Sequence, residues 1–211
     1  QGIGRNRRVA PITSKIHPMP RHRLDQYETA DWQVDVLVDH LPELSGSIWC
    51  PTVGDGALSR QLLIRRPDLR LTLTNDLDPA LKATCHLDAT KRESWQTFVK
   101  TAARPDWIVE NPPFNDARAI VEWAYKHAIC GGAFLLRISF TEPTKDRGGW
   151  LSEHPLDAQV TMERYSFTGN GKSDNVTAAW MIWAKNPIQH TGVFSAVGYR
   201  PQPKRRVTIT S

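Results

Sequence analysis

Asp106-Trp107-Ile108-Val109-Glu110-Asn111-Pro112-Pro113-Phe114 passes from an apolar run straight into a pair of prolines. Trp107, Ile108 and Val109 are β-prone and contiguous, the pattern of a buried strand. Neither proline has an N–H to donate, so the strand must stop there. Pro112 also biases Asn111 toward an extended backbone. The result is a stiff strand end that displays one side-chain amide, bare carbonyls and one aromatic face. The Asn111 side-chain oxygen and the Pro112 carbonyl can both accept from an –NH2 group, and Phe114 can stack on a flat ring. Such a surface suits a heterocycle with an exocyclic amine.

Upstream, Ser47-Ile48-Trp49-Cys50-Pro51-Thr52-Val53-Gly54-Asp55-Gly56 is an apolar strand running into a glycine turn. A helix follows with Leu58, Leu62 and Leu63 inward. Glycine is required where the backbone takes positive φ or approaches a ligand closely, and the loop and helix N–H groups then face a polar ligand. The charge of Asp55 repels phosphate and suits a sulfonium or an ammonium. Gly54-x-Gly56-x-x-Ser59, with Asp76 further on, nearly matches a dinucleotide fingerprint, so a nicotinamide dehydrogenase competes from this segment alone. Leu69–Thr74 is a second strand, with Asp76 at its carboxyl end, where a carboxylate can accept both hydroxyls of a ribose. A short helix is read ahead of His86–Thr90, which carries Asp88 and Ala89. Arg92–Ala103 is a helix that leads into the Asn111 strand.

Downstream, Ala117, Ile120, Val121, Ala124 and Ala128 mark one helix face. Ala133–Phe140 is an apolar strand, and Lys145–His154 a polar loop or short helix. Val160–Phe167 and Asn175–Trp183 are two strands joined by a turn-rich loop carrying Lys172. Alternating strands and helices imply a mostly parallel sheet covered on both faces. The last two strands, joined without a helix, imply an antiparallel strand at its edge. Near the start, Thr29 is read as the N-cap of a helix whose inner face is Val34, Leu37, Val38 and Leu41.

The 211 residues fit one domain, 40% hydrophobic and 23% charged. No run approaches the roughly 20 apolar residues of a membrane span, and no signal peptide is visible. Cys50, Cys85 and Cys130 show neither metal-ligand spacing nor a disulfide framework, which points to a reducing cytoplasm and no metal site. The net charge of +5 favours a polyanionic partner. Residues 1–23 form a basic arm with Arg5, Arg7, Arg8, Lys15, Arg21 and Arg23. Residues 24–187 form the folded domain, and 188–211 a basic tail with Lys204, Arg205 and Arg206.

Asn111-Pro112-Pro113-Phe114 at a strand end resembles the catalytic motif of S-adenosylmethionine-dependent amino-methyltransferases, which methylate N6 of adenine or N4 of cytosine in DNA, or RNA bases and protein glutamine. Arg137-Ile138-Ser139-Phe140-Thr141-Glu142-Pro143, then Ser166-Phe167-Thr168-Gly169 and Ala178-Ala179-Trp180-Met181-Ile182-Trp183, is similar to small phage- or prophage-type members. The resemblance implies a Rossmann-like class I fold with a seven-stranded sheet. It places the cofactor at Thr29, Cys50, Pro51, Gly54, Asp55 and Gly56, with Asp76 on the ribose, Asp78-Pro79 opening the next helix, and Asp88 and Ala89 at the end of a third strand beside the adenine. Asn111 through Phe114 then serve the target amine. Adenine N6 is the implied target, in double- or single-stranded DNA held by the arm, tail and loops. Two departures stand out. Cys50 occupies a position where the family usually carries Asp or Glu, so a carboxylate that would support the loop and the methionine amine is missing. There is also no room for a separate target-recognition domain, which implies low sequence selectivity unless a dimer mate or partner subunit supplies it. RNA-base or glutamine methylation, and a catalytically inactive fold that only binds nucleic acid, are the competing readings.

Overall fold

The computed structural model describes residues 29–163 and 177–199; the basic arm over 1–23, the Lys172 loop and the Lys204–Arg206 cluster fall outside them. Along the chain come α1 (Asp31–His40), β1 (Ser47–Cys50), α2 (Ala57–Arg65), β2 (Arg70–Thr74), α3 (Arg92–Thr101), β3 (Trp107–Glu110), α4 (Ala117–His127) and β4 (Gly131–Arg137). A 3-10 turn (Ile138–Thr141), α5 (Gly148–Glu153), β5 (Ala158–Met162), β6 (Ala178–Ala184) and β7 (Gly192–Ala196) follow. The strands make one seven-stranded sheet in the order β2-β1-β3-β4-β6-β5-β7. Every pairing is parallel except the two made by β6, which runs antiparallel to β4 and β5.

Alternate strand residues feed two cores, one on each face of the sheet. Ile48, Trp107, Val109, Leu135 and Trp180 pack with Val34 and Leu37 of α1 and Leu62 of α2. Trp49, Ile108, Phe134 and Met181 pack on the other face with Trp95 and Phe98 of α3 and Val121 of α4. From β1 the chain crosses to β2 on one side and later to β3 on the other. The carboxyl ends of β1 and β3 therefore lie side by side at the point where the winding reverses, which is where ligands bind in such sheets. An antiparallel strand inside the sheet departs from the doubled parallel units of dinucleotide dehydrogenases.

Three expectations are corrected. The antiparallel strand is not at the edge: β6 lies between β4 and β5, and its residues are buried from Ala178 to Trp183. The edge beside β5 is β7, which lies inside the stretch read as tail. It gave a weak signal because Val193 is 76% exposed, leaving Phe194 and Ala196 to face inward. The third strand ending near Asp88 is absent: Cys85 makes one isolated bridge to Asn75, and no helix lies between β2 and α3. Asp78 instead closes a turn, its Oδ1 accepting from Ala80 N–H at 2.9 Å. Thr84 N–H then bonds the Thr74 carbonyl at 3.0 Å, so the chain is recaptured by β2 before a helix can propagate. Among the described residues no helix is long and apolar enough to cross a membrane.

Candidate active site

The loop after β1 is shaped by Gly54 and Gly56, at φ 57° and 80°, values that a residue with a Cβ adopts only at a steric cost. The ends of two neighbouring strands, β2 and β3, hold it. Val53 N–H donates to the Asn75 carbonyl at 2.8 Å, and Gly54 N–H donates to Asp76 Oδ2 at 2.9 Å. From β3, Glu110 Oε1 accepts from Thr52 N–H at 2.9 Å and Oε2 from the Thr52 hydroxyl at 2.6 Å. Asp76 is buried, and its Oδ1 also accepts from Asp78 N–H at 3.0 Å. Asp55 turns toward α2 instead: its Oδ1 accepts from Ala57 N–H at 2.8 Å and its carboxylate pairs with Arg60 at 3.5 Å. A carboxylate at a helix N-terminus satisfies an orphan N–H and opposes the helix dipole, so much of its charge is spent there.

Two cavities of about 210 Å³ each flank this loop and share Thr52 and Pro113 in their walls. The first is bounded by Thr29, Cys50, Gly54, Asp55, Glu110 and Asn111. The second is bounded by Asp76, Asp78, Asp88 and Ala89, with Asn75 at its base. Residues read as cofactor contacts thus divide between two halves of one cleft, and Asn111 meets the first half. Pro51 and Pro112 are buried behind the walls, and Gly56 stands at the start of α2.

Thr29 is not a helix cap. Ala30 precedes α1, and its N–H donates to Gln33 Oε1 at 2.8 Å. The Thr29 hydroxyl, in a residue only 6% exposed, accepts from Asn111 Nδ2 at 3.2 Å. With its nitrogen committed to Thr29, the Asn111 amide has a defined orientation. Asp88 Oδ1 accepts from Thr90 N–H at 2.9 Å and from its hydroxyl at 2.6 Å, fixing the turn before α3. Phe114 lines a third, larger cavity with Phe140 and Arg147, and the Arg137 guanidinium lies 4.3 Å from its ring centroid. One candidate stacking surface therefore already carries a planar cation from the end of β4.

Glu110, Asn75 and Arg137 were not singled out from the sequence. Glu110 is 1% exposed, and burial, opposed by its bonds to Thr52, pushes its carboxyl up to about 8. Its signal was present: a carboxylate inside a fully buried strand, one residue before the motif amide. Asn75 is fully buried; its Nδ2 donates to the carbonyls of Pro51 and Leu87 at 2.8 and 2.9 Å, and its Oδ1 accepts from Leu87 N–H at 2.9 Å. Cys50 is buried, its thiol donating to the Val109 carbonyl at 3.5 Å; burial, then the charge of Glu110, pushes that thiol well up, so it is no reactive group.

The fold is that of the class I S-adenosylmethionine-dependent methyltransferases. A putative class I S-adenosylmethionine-dependent methyltransferase from Listeria monocytogenes superposes with a TM-score of 0.58 at 11% identity, over 84% of this chain and 68% of that one. A modification subunit of a putative type I restriction enzyme from Vibrio vulnificus superposes with a TM-score of 0.54 at 9% identity, over 81% and 46%. In sequence, the ribosomal RNA small subunit methyltransferase C of Shewanella pealeana is 30% identical over 95 residues, 42% of this chain and 28% of that protein. The match thus spans little more than a quarter of that relative. No family profile matches the chain.

Proposed function

We propose that the protein methylates an exocyclic amine with S-adenosylmethionine as donor, and that its target is N6 of adenine in DNA. The observation that carries this reading is the shared wall of the first cavity, where the glycine loop and Asn111 meet. The residues present fit the cofactor: the positive-φ glycine loop and the buried Glu110 carboxylate border one half of the cleft, and Asp76 and Asp88 border the other. When bound, that molecule supplies a methyl group activated by a sulfonium.

The chain's part is to orient and polarise the acceptor. An aryl amine is a poor nucleophile because its lone pair is delocalised into the ring. Asn111 Oδ1 accepts one of its N–H groups; the Pro112 carbonyl, in a buried residue that lines neither cavity, accepts the other once the target opens that wall, and the two together favour a pyramidal nitrogen in the transition state. The proline pair keeps both acceptors rigid, which contributes the orientation term. As the nitrogen gains the methyl group, the donor's sulfur would keep the electron pair of the broken S–C bond and the nitrogen would release one proton to solvent, leaving a neutral secondary amine. In a duplex the base must first be flipped from the stack, and Phe114 offers it an aromatic face, which Arg137 must vacate or share.

A second reading, methylation of an RNA base by the same chemistry, is favoured by the similarity to a ribosomal RNA methyltransferase. Transfer of a labelled methyl group to DNA, to RNA and to protein, followed by nucleoside mass spectrometry, separates the readings. N6-methyladenine in DNA is the expected product. Asn111→Ala is expected to abolish transfer with cofactor affinity kept within a few-fold; turnover above about a tenth of wild type, a loss under ~1.4 kcal/mol, would refute its assignment.

A further inference from the structure

Cys50 leaves the carboxyl end of β1 without the acidic side chain that the resemblance leads one to expect, and the space beside it is filled from the neighbouring strand. Glu110, at the end of β3, reaches across to the β1 loop and bonds both the N–H and the hydroxyl of Thr52. Cys50 and Glu110 line the same cavity as Asn111. We propose that Glu110 is the displaced carboxylate of this site: it holds the loop and, with the cofactor bound, receives the α-ammonium of its methionine moiety. The inference rests on the methyltransferase reading above.

Competing acids are otherwise engaged. Asp55, the other carboxylate on this cavity, turns away from it to accept from the Ala57 N–H at the start of α2 and to meet Arg60 at the surface. Asp76 holds Gly54 and Asp78 and borders the other cavity. The Asn111 main-chain N–H also acts on the Glu110 carboxylate, which leaves about one of the roughly four lone-pair sites on its two oxygens for a ligand. The titratable groups acting on Glu110 are Cys50 from β1 and Asp76 from the end of β2, and neither is a cation that could pair with it. A buried acid without a cation keeps its proton, in agreement with a carboxyl raised to about 8. An arriving ammonium reverses that balance. Ligand binding at pH 7 should then expel most of one proton, which a purely structural glutamate would not do. Affinity should rise with pH toward about 8, until the ligand's own amine deprotonates.

The test is titration calorimetry of the whole chain at pH 7, in buffers of different ionisation enthalpy, with two probes: S-adenosylmethionine, and 5′-methylthioadenosine, which has no amino-acid portion. Wild type is expected to release most of one proton with the first and none with the second. Glu110→Gln is expected to bind the first at least tenfold more weakly with no proton release, and the second as wild type does. Binding of the second probe also shows that the variant is folded. A second variant, Cys50→Asp combined with Glu110→Gln, returns the carboxylate to β1 and should recover affinity. Failure of wild type to bind either probe overturns the methyltransferase reading and this inference together. Binding of S-adenosylmethionine without proton release, and undiminished in Glu110→Gln, overturns this inference alone.

Discussion

Asp76 holds its own loop in place before it can serve a ligand. Its two oxygens accept from Gly54 and Asp78 N–H groups, and charge-assisted bonds of this kind contribute about 1.5–3 kcal/mol each. Asp76→Ala should therefore lower both the melting temperature and the affinity for S-adenosylmethionine; weaker binding at an unchanged melting temperature would make it a ligand contact only. Glu110 gives a second prediction, for the protein without ligand. Its carboxyl titrates near 4.5 in an unfolded chain and at about 8 in the folded one. The folded state thus holds the proton more tightly. The stability this contributes is complete below 4.5, declines as pH rises between the two values, and is gone above about 8. Measured against Glu110→Gln, wild-type stability should fall from pH 5 to 8; parallel curves for the two proteins would refute the raised titration. Asn111 and its prolines were legible in the sequence because the motif is contiguous and proline has few structural options. Glu110 was not, because its meaning depends on what β1 places opposite it, and the pairing of β1 with β3 is a property of the sheet.

At the scale of elements, the segment between β2 and α3 replaces a strand with a side chain. One bridge to Cys85 would hold it weakly, and Asn75 supplies the missing pairings to Leu87 and to Pro51. This clasp ties the floor of the second cavity to the exit of β1. Asn75→Ala would strip partners from three main-chain groups, at about 1–3 kcal/mol for each one left buried. The expected loss in urea unfolding is about 3 kcal/mol or more, with faster exchange of the Leu87 amide. Unchanged protection at Leu87 would mean that the segment is held by other contacts. The elements that the sequence placed correctly are those with strong periodicity or unbroken apolar runs, such as α3, α4, β3 and β4. The errors fall where side chains or edges take over. A strand was expected where Asn75 substitutes for one, and β7 was taken for tail because an edge strand with an exposed Val193 carries little apolar pattern.

For the whole molecule, the question is what the sheet leaves over for reading a nucleic acid. Each described helix packs on the sheet; even α5, in the polar stretch after β4, is anchored, with Trp150 5.4 Å from Trp183. Base readout requires side chains that enter a groove and meet base edges. On the proposed function, candidate segments for it are Lys145–Asp157, Thr168–Asn175 and the basic stretches over 1–23 and 188–211. On that reading, lysines and arginines there would mainly supply phosphate contacts, which carry no sequence information and weaken steeply with salt. We therefore expect a recognition element of a few base pairs at most, or modification of adenines in many contexts. Deleting residues 1–23 removes six lysines and arginines. If all six contact phosphates, the slope of log affinity against log salt should drop by up to about 5, with weaker binding and an unchanged preferred sequence. An unaltered slope would take the arm off the DNA. Mapping methylated positions on a genomic substrate with the purified protein tests the selectivity itself. One long motif modified to completion, with every other adenine untouched, would mean that the loops of this domain, or a second copy of it, read bases directly.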